Sequence, residues 1–197
     1  LDKINKRKLA IIRKKHVNEN SELDSNLTWY KHAGLIYEVL NKKYFISEKQ
    51  LEKVEGYARS GVQQGAEAVH GGKRVERDGY FMEATVLNNV KQDMTVAREE
   101  IFGPVLSVLE YNDQEEAIHI ANDTDYGLGA GVFTKDLKKA SWTASKLEAG
   151  QVYVNKWFTG NHATPFGGYK QSGYSREKGV DGLKSYLQVK NVGISLG

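Results

Sequence analysis

From Phe45 onward, segments with the period of a strand alternate with segments with the period of a helix. Nothing else in the 197 residues restricts the fold as much. Ser47-Glu48-Lys49-Gln50 reads as a capping box, a hydroxyl followed three residues later by an amide side chain. The helix it opens carries Leu51, Val54, Ala58 and Val62 on one face and should end by Gly65. A short strand is expected over 66–70, with Gly71-Gly72 turning the chain, and further strands over 80–87 and 105–111. Asp113 with Glu116 caps the next helix. A strand over 129–134, a helix over 136–147 closed by Gly150, and a strand over 151–155 follow. A glycine-rich loop over 156–173, a helix over 175–186 and a final strand over 187–195 complete the reading. Such alternation implies an α/β fold, a mainly parallel sheet with flanking helices.

The first 43 residues read differently. They hold ten Lys and Arg against five Asp and Glu, whereas the remainder is slightly acidic. The spacing predicts a short basic helix over 1–15, a polar loop over 17–27 and a helix over 28–43 with Thr28 as its N-cap. The basic run has no interleaved aromatic residue to stack on bases, so a solvated terminal segment is expected rather than a nucleic-acid arm. No window of 18 apolar residues occurs, and the cluster around Leu9–Ile12 is too short for a leader peptide, so no membrane partner and a cytoplasmic location are expected.

Composition excludes several chemistries. The 197 residues contain no cysteine, which removes disulfides, thiolate-ligated metals and a thiolate nucleophile. His16, His32, His70, His119 and His162 are scattered without ligand spacing, so no metal site is expected. Gly127-Leu128-Gly129-Ala130-Gly131 precedes a strand instead of following one, which argues against a dinucleotide fingerprint.

Two stretches stand out. Arg98-Glu99-Glu100-Ile101-Phe102-Gly103-Pro104-Val105 places two carboxylates and an aromatic ring in the turn before a strand. A carboxylate there accepts hydrogen bonds and donates none, so it suits a pair of sugar hydroxyls, and an adjacent Phe can hold a flat ring. An acidic turn with a packed Phe accounts for the same residues. Pro165-Phe166-Gly167-Gly168-Tyr169-Lys170-Gln171-Ser172-Gly173 permits positive φ and close backbone approach, as a functional or a packing loop would need.

These two stretches, with Ala121-Asn122-Asp123-Thr124-Asp125-Tyr126-Gly127-Leu128 between them and Arg176-Glu177 after them, resemble the C-terminal hallmarks of the aldehyde dehydrogenase superfamily in order and spacing. Glu148-Ala149-Gly150 and Tyr153-Val154-Asn155 fit the same pattern, and the resemblance runs over about 45–197. It implies that Glu100 would hold the nicotinamide ribose of NAD or NADP and that Phe102 would pack near the nicotinamide. It further implies that Trp157, Phe158 and Phe166 would shape the aldehyde tunnel and that Glu177 would help relay protons. Core packing would account for the three aromatics as well, and capping of a helix from Ser175 for Glu177.

The resemblance divides the chain into a basic segment over 1–43 without a family counterpart, part of a catalytic domain over 44–186, and an oligomerisation strand over 187–197. Family chemistry begins with a cysteine thiolate attacking the aldehyde, and the nucleotide-binding domain lies upstream of the matching region; neither is found in these residues. At Ala84 the family usually has a proline. The expectation is therefore a family fragment inactive by itself. The alternatives are an oligomerisation or binding module that pairs with itself or with a full-length enzyme, and one half of a split enzyme whose complementary chain brings the cysteine.

Overall fold

A computed structural model describes the backbone of 10–14 and residues 45–156 and 160–197. Helix α1 (Glu48–Gln63) begins where the sequence places it: Ser47 is extended at φ −154° and ψ 154°, and its Oγ accepts from Gln50 N at 3.3 Å. The buried stripe of α1 is Leu51, Val54, Ala58 and Gly61. Val62, expected on that face, is 48% exposed, because the three-and-four stepping from Leu51 arrives at 61. Leu51 and Val54 are fully buried, and each contributes about 1.5–3 kcal/mol of burial free energy.

The helix leads into β2 (Glu67–His70), which pairs antiparallel with β3 (Thr85–Asn88) across a bulge between Ala68 and His70. The strand expected over 80–87 is shorter, since Met82 makes only an isolated bridge to Arg74. Strand β3 runs parallel to β4 (Val105–Tyr111), reached through the four-residue helix α2 (Thr95–Arg98). On its other edge β4 receives β1 (Ala10–Lys14), also parallel, giving the order β1-β4-β3-β2. The basic helix expected over 1–15 is thus a strand across 10–14. Its short apolar run suits either period, and pairing with β4 decides between them. The loop expected over 17–27 and the helix over 28–43 lie outside the described residues.

The five residues of β4 from Val105 to Leu109 are all buried. The buried Ser107 hydroxyl donates to Val96 O at 2.9 Å, and that of Thr85 donates to Glu83 O and accepts from Gly72 N. Neither polar group is therefore left unsatisfied in the core. Leu51, Val54, Met82, Leu87, Val96 and Val105 form the centre of the packed cluster, so α1 lies on the sheet with α2 beside it.

Beyond β4, α3 (Gln114–Asn122) is capped by Asp113, whose Oδ1 accepts from Glu116 N at 2.9 Å. Strand β6 (Gly129–Val132) crosses through α4 (Leu137–Lys146), capped by Asp136, to a parallel β7 (Gln151–Val154). Strand β5 (Tyr126–Gly127) pairs antiparallel with β8 (Tyr169–Lys170). The helix expected over 175–186 is only α5 (Gly179–Lys184), because Glu177 bridges Phe166 through both backbone bonds and Lys178 sits at φ 64°. No ladder forms over 187–195; Val189 is fully exposed and Ile194 is 79% exposed. The expected final strand has no ladder partner among the described residues. Among the described residues no helix is long and apolar enough to cross a membrane.

Candidate functional site

The turn between α2 and β4 carries Glu100 and Phe102, and α1 holds it along its length. Residues 50, 54, 57, 61 and 64 recur every three or four positions and so share one side of a helix. The Gln64 carboxamide forms a pair of 2.8 Å bonds with Thr95, one to Oγ1 and one from its backbone N. A Cβ on Gly61 would lie 3.0 Å from Leu87 and 3.1 Å from Val96. The Tyr57 hydroxyl donates to Glu99 Oε2 at 2.6 Å. A Cβ on Gly103 would stand 2.5 Å from Val54 Cγ1, so this glycine lets the turn press on the helix. Gln50 Nε2 donates to Phe102 O at 3.1 Å. The spacing from Ser47 makes Gln50 the returning half of a capping box, but its side chain reaches across the fold instead.

The turn itself is strained at one point. Phe102 has φ 57°, a left-handed conformation costing about 1–2 kcal/mol for a residue with a side chain. The residue is 60% exposed, so burial does not compensate; the carbonyl bond from Gln50 and the packing of Gly103 fix it. Glu100 is half-buried beside this outward-facing ring. The hydrogen bond to Glu99 pushes the Tyr57 hydroxyl up to about 12, with burial adding to it and the charges of Glu99, Tyr126 and Glu100 contributing. Tyr57 therefore stays a donor across the neutral range.

The three motifs meet. Arg98 Nη1 binds Asp123 at both Oδ1, 2.8 Å, and the backbone O, 3.0 Å, and this partner holds the Asp123 carboxyl below its usual range. Lys170, itself at φ 51°, sends Nζ to Asn122 O at 2.5 Å, Thr124 O at 3.1 Å and Glu148 Oε2 at 2.6 Å. Ser172 Oγ accepts from Gly127 N at 3.0 Å, and Gln171 N donates to Asp125 O at 2.9 Å. Gly150 admits the backbone of Gly167, whose carbonyl would sit 1.8 Å from a Cβ there. The acidic turn, the Asn122–Gly127 loop and the glycine-rich loop thus form one hydrogen-bonded unit.

The sequence-derived site residues fall into two groups. Glu100 and Phe102 share the first turn. Phe166 and Glu177 share the second, joined by reciprocal 2.7 Å backbone bonds, with Lys178 Nζ 5.4 Å from the Phe166 ring centroid. Phe166 is half-buried and Glu177 is exposed. Trp157 and Phe158 lie outside the described residues. A shallow groove of about 360 Å³ is lined by Glu148, Tyr169, Lys170, Tyr174 and Arg176 with two glycines; none of the predicted site residues lines it. Sequence reasoning passed over Gln50, Tyr57, Gln64 and Lys170 as individual functional residues. The signal for the first three was available: polar residues in step with a buried stripe.

Chemically, Glu100 offers acceptor oxygens and Phe102 an exposed flat face, a set that fits a ribose carrying an aromatic ring. The family model described as "Aldehyde dehydrogenase family" matches residues 44–192. Aldehyde dehydrogenase family 2 member B4, mitochondrial, of Arabidopsis thaliana is 50% identical over 147 residues, 75% of this chain and 27% of that protein. The mitochondrial aldehyde dehydrogenase of Rattus norvegicus is 45% identical over 151 residues, 77% of this chain and 29% of that protein. Among solved structures, the NAD-dependent aldehyde dehydrogenase of Sinorhizobium meliloti superposes with a TM-score of 0.75 at 42% identity, covering 78% of this chain and 31% of that one. The NAD+ complex of the Bacillus cereus aldehyde dehydrogenase gives a TM-score of 0.74 at 45% identity, with 78% and 31% covered. The chain spans about 30% of the length of the curated relatives it matches.

Proposed function

The chain belongs to the aldehyde dehydrogenase family, and on that premise we propose that its 197 residues form the nicotinamide-ribose side of an NAD(P)-dependent aldehyde-oxidising site and do not turn over alone. The observation that carries the reading is the acidic turn itself, with Glu100 beside an outward Phe102 ring in a strained conformation fixed from α1. Strain held by its surroundings at a ligand-facing residue is a mark of preorganisation. The NAD+ complex of a relative at 45% identity supports the choice of cofactor. Bound there, NAD(P) supplies the hydride acceptor. Glu100 orients the ribose through its acceptor oxygens, Phe102 limits the tilt of the ring, and Phe166 walls the aldehyde side, a role that family resemblance also gives to Trp157 and Phe158. Glu177 takes the outer place in proton transfer.

Turnover needs a thiolate, and these residues include no cysteine, so the segment requires a nucleophile from elsewhere. Residues 44–186 act as the partial catalytic domain and 187–197 as the assembly segment. One observation favours an assembly role as a second reading: Val189, Val192, Ile194 and Leu196 are all exposed, at 68% or more, along a tail with no ladder partner among the described residues. An apolar, unpaired segment is a template for another chain. That partner is a second copy or an aldehyde dehydrogenase chain.

NAD(P)H absorbance with the purified chain and simple aldehydes tests the reading, and no turnover above blank is expected. Co-expression with a complementary chain bearing the cysteine and the nucleotide-binding domain should restore oxidation, and Glu100→Ala should lower it sharply. Sustained turnover by the isolated chain refutes the proposal; restored activity indifferent to Glu100→Ala refutes the role of Glu100.

A further inference from the structure

We propose that Tyr57 is a positioning residue for the Glu100 turn, acting through its hydrogen bond to Glu99; this rests on the reading of Glu100 as the ribose acceptor. Glu100 stands between two residues that α1 grips. One residue before it, Glu99 Oε2 accepts from the Tyr57 hydroxyl at 2.6 Å. Two residues after it, Phe102 O accepts from Gln50 at 3.1 Å. Between these polar anchors, Val54 and Gly103 make the dry contact. Tyr57 and Gln50 are seven positions apart, two turns along the helix, so the turn is spanned by a rigid bar.

Burial alone does not call for this chemistry. The Tyr57 ring packs against the core cluster and a phenylalanine would cover the same surface. What the hydroxyl adds is a direction. Glu99 is exposed and ends α2 with its backbone N on Thr95 O at 2.9 Å, so its side chain has no packing to hold it. The bond from Tyr57 stops rotation there and carries the stop to the next residue. A charge-assisted bond of this kind is shorter and about twice as strong as a neutral one. The raised ionisation of Tyr57 leaves the donor proton in place through the neutral range. Lys53 Nζ, 5.8 Å from the ring centroid, sits on the solvent side of the same ring.

The test uses the full chain, 15N-labelled, with NMR order parameters over 99–103 and a titration with nicotinamide mononucleotide, which carries the ribose and the ring alone. Tyr57→Phe should lower the order parameters of the turn from about 0.85 toward about 0.6. It should weaken the mononucleotide by about three- to tenfold, while urea unfolding remains cooperative with a slightly lower midpoint. Glu99→Ala, at an exposed position, should reproduce both effects, and Glu99→Gln, which keeps an acceptor without the charge, should recover about half of the loss. Unchanged order parameters and affinity in Tyr57→Phe and Glu99→Ala overturn the proposal. So does Glu99→Gln behaving like Glu99→Ala, since charge rather than the bond would then matter. If the mononucleotide fails to perturb the wild-type turn, or Glu100→Ala leaves its binding intact, the ribose reading fails, and the order parameters still decide the positioning role.

Discussion

Replacing Gly103 with alanine measures how tightly the Glu100 turn is pressed on α1. The new methyl would lie 2.5 Å from Val54 Cγ1, 2.7 Å from Cγ2 and 3.2 Å from Cβ, against a comfortable carbon–carbon distance of about 3.5–4.0 Å. Val54 cannot turn aside: it is fully buried, and a β-branched residue in a helix has one strongly preferred rotamer. The turn or the helix must therefore retreat by about 1 Å, a core overpacking that costs about 1–3 kcal/mol. For a chain of this size the melting temperature should fall by about 3–10 °C. Urea unfolding of the single variants Gly103→Ala and Val54→Ala and of the double variant completes the measurement. Val54→Ala alone loses two buried methyls, and the double variant refills part of that space. Its destabilisation should be smaller than the sum of the singles by about 1 kcal/mol or more, within the usual range of contact coupling. A Gly103→Ala variant within about 0.5 kcal/mol of the parent, or strict additivity, refutes the close approach.

Lys170→Met should destabilise the chain by about 1–2 kcal/mol, chiefly through the lost bonds to Asn122 O and Thr124 O, since the carboxylate of Glu148 is 54% exposed; an unchanged urea midpoint contradicts this. The Tyr57 hydroxyl is raised from 10.0 to about 12 in the folded chain, so the stability it contributes is complete below pH 10 and declines as pH rises from 10 toward 12. Absorbance titration at alkaline pH should show one fewer late-ionising tyrosine in Tyr57→Phe, with Tyr111, pushed up by burial, remaining; an unchanged number argues against the bond to Glu99. Light scattering should find the chain associated, and Val189→Asp with Ile194→Asp should dissociate it. A strict monomer at high concentration would remove the assembly role of 187–195.

Much of this architecture was legible because it is local. Ser47 and Asp113 each end an extended stretch with a short acceptor side chain, and each caps a helix as expected; Asp136, expected as the first residue of its helix, is the cap before it. The run from Val105 to Tyr111 became a strand over its full expected length. Apart from Val62, which the helical stepping leaves exposed, the main departures come from distant partners. Ile11 and Ile12 among lysines suit a helix or a strand, and only β4 chooses. The helix expected from Ser175 is shortened because Phe166 claims the backbone of Glu177. In the site, the acidic turn and the glycine-rich loop were visible as motifs, and their junction through Arg98, Asn122 and Lys170 was not. Gln50 illustrates the gap: sequence spacing gave its side chain a capping role, and geometry gave it Phe102.

The parallel seating of β1 on β4 also sets an order of assembly. Strand β3 reaches β4 across a short connection, whereas Ala10 must meet Ser107 across nearly half the chain. Loop closure grows with the logarithm of length, so the second contact costs about 1–2 kcal/mol more than the first. During synthesis at about 5–20 residues per second, residues 10–14 wait about 5–20 s for their partner to be made. Until they dock, the outer edge of the most buried strand offers its amides and carbonyls to any neighbouring chain. Residues 10–14 are translated well before the strand they pair with, and the yield of folded protein depends on how quickly they dock once it is made.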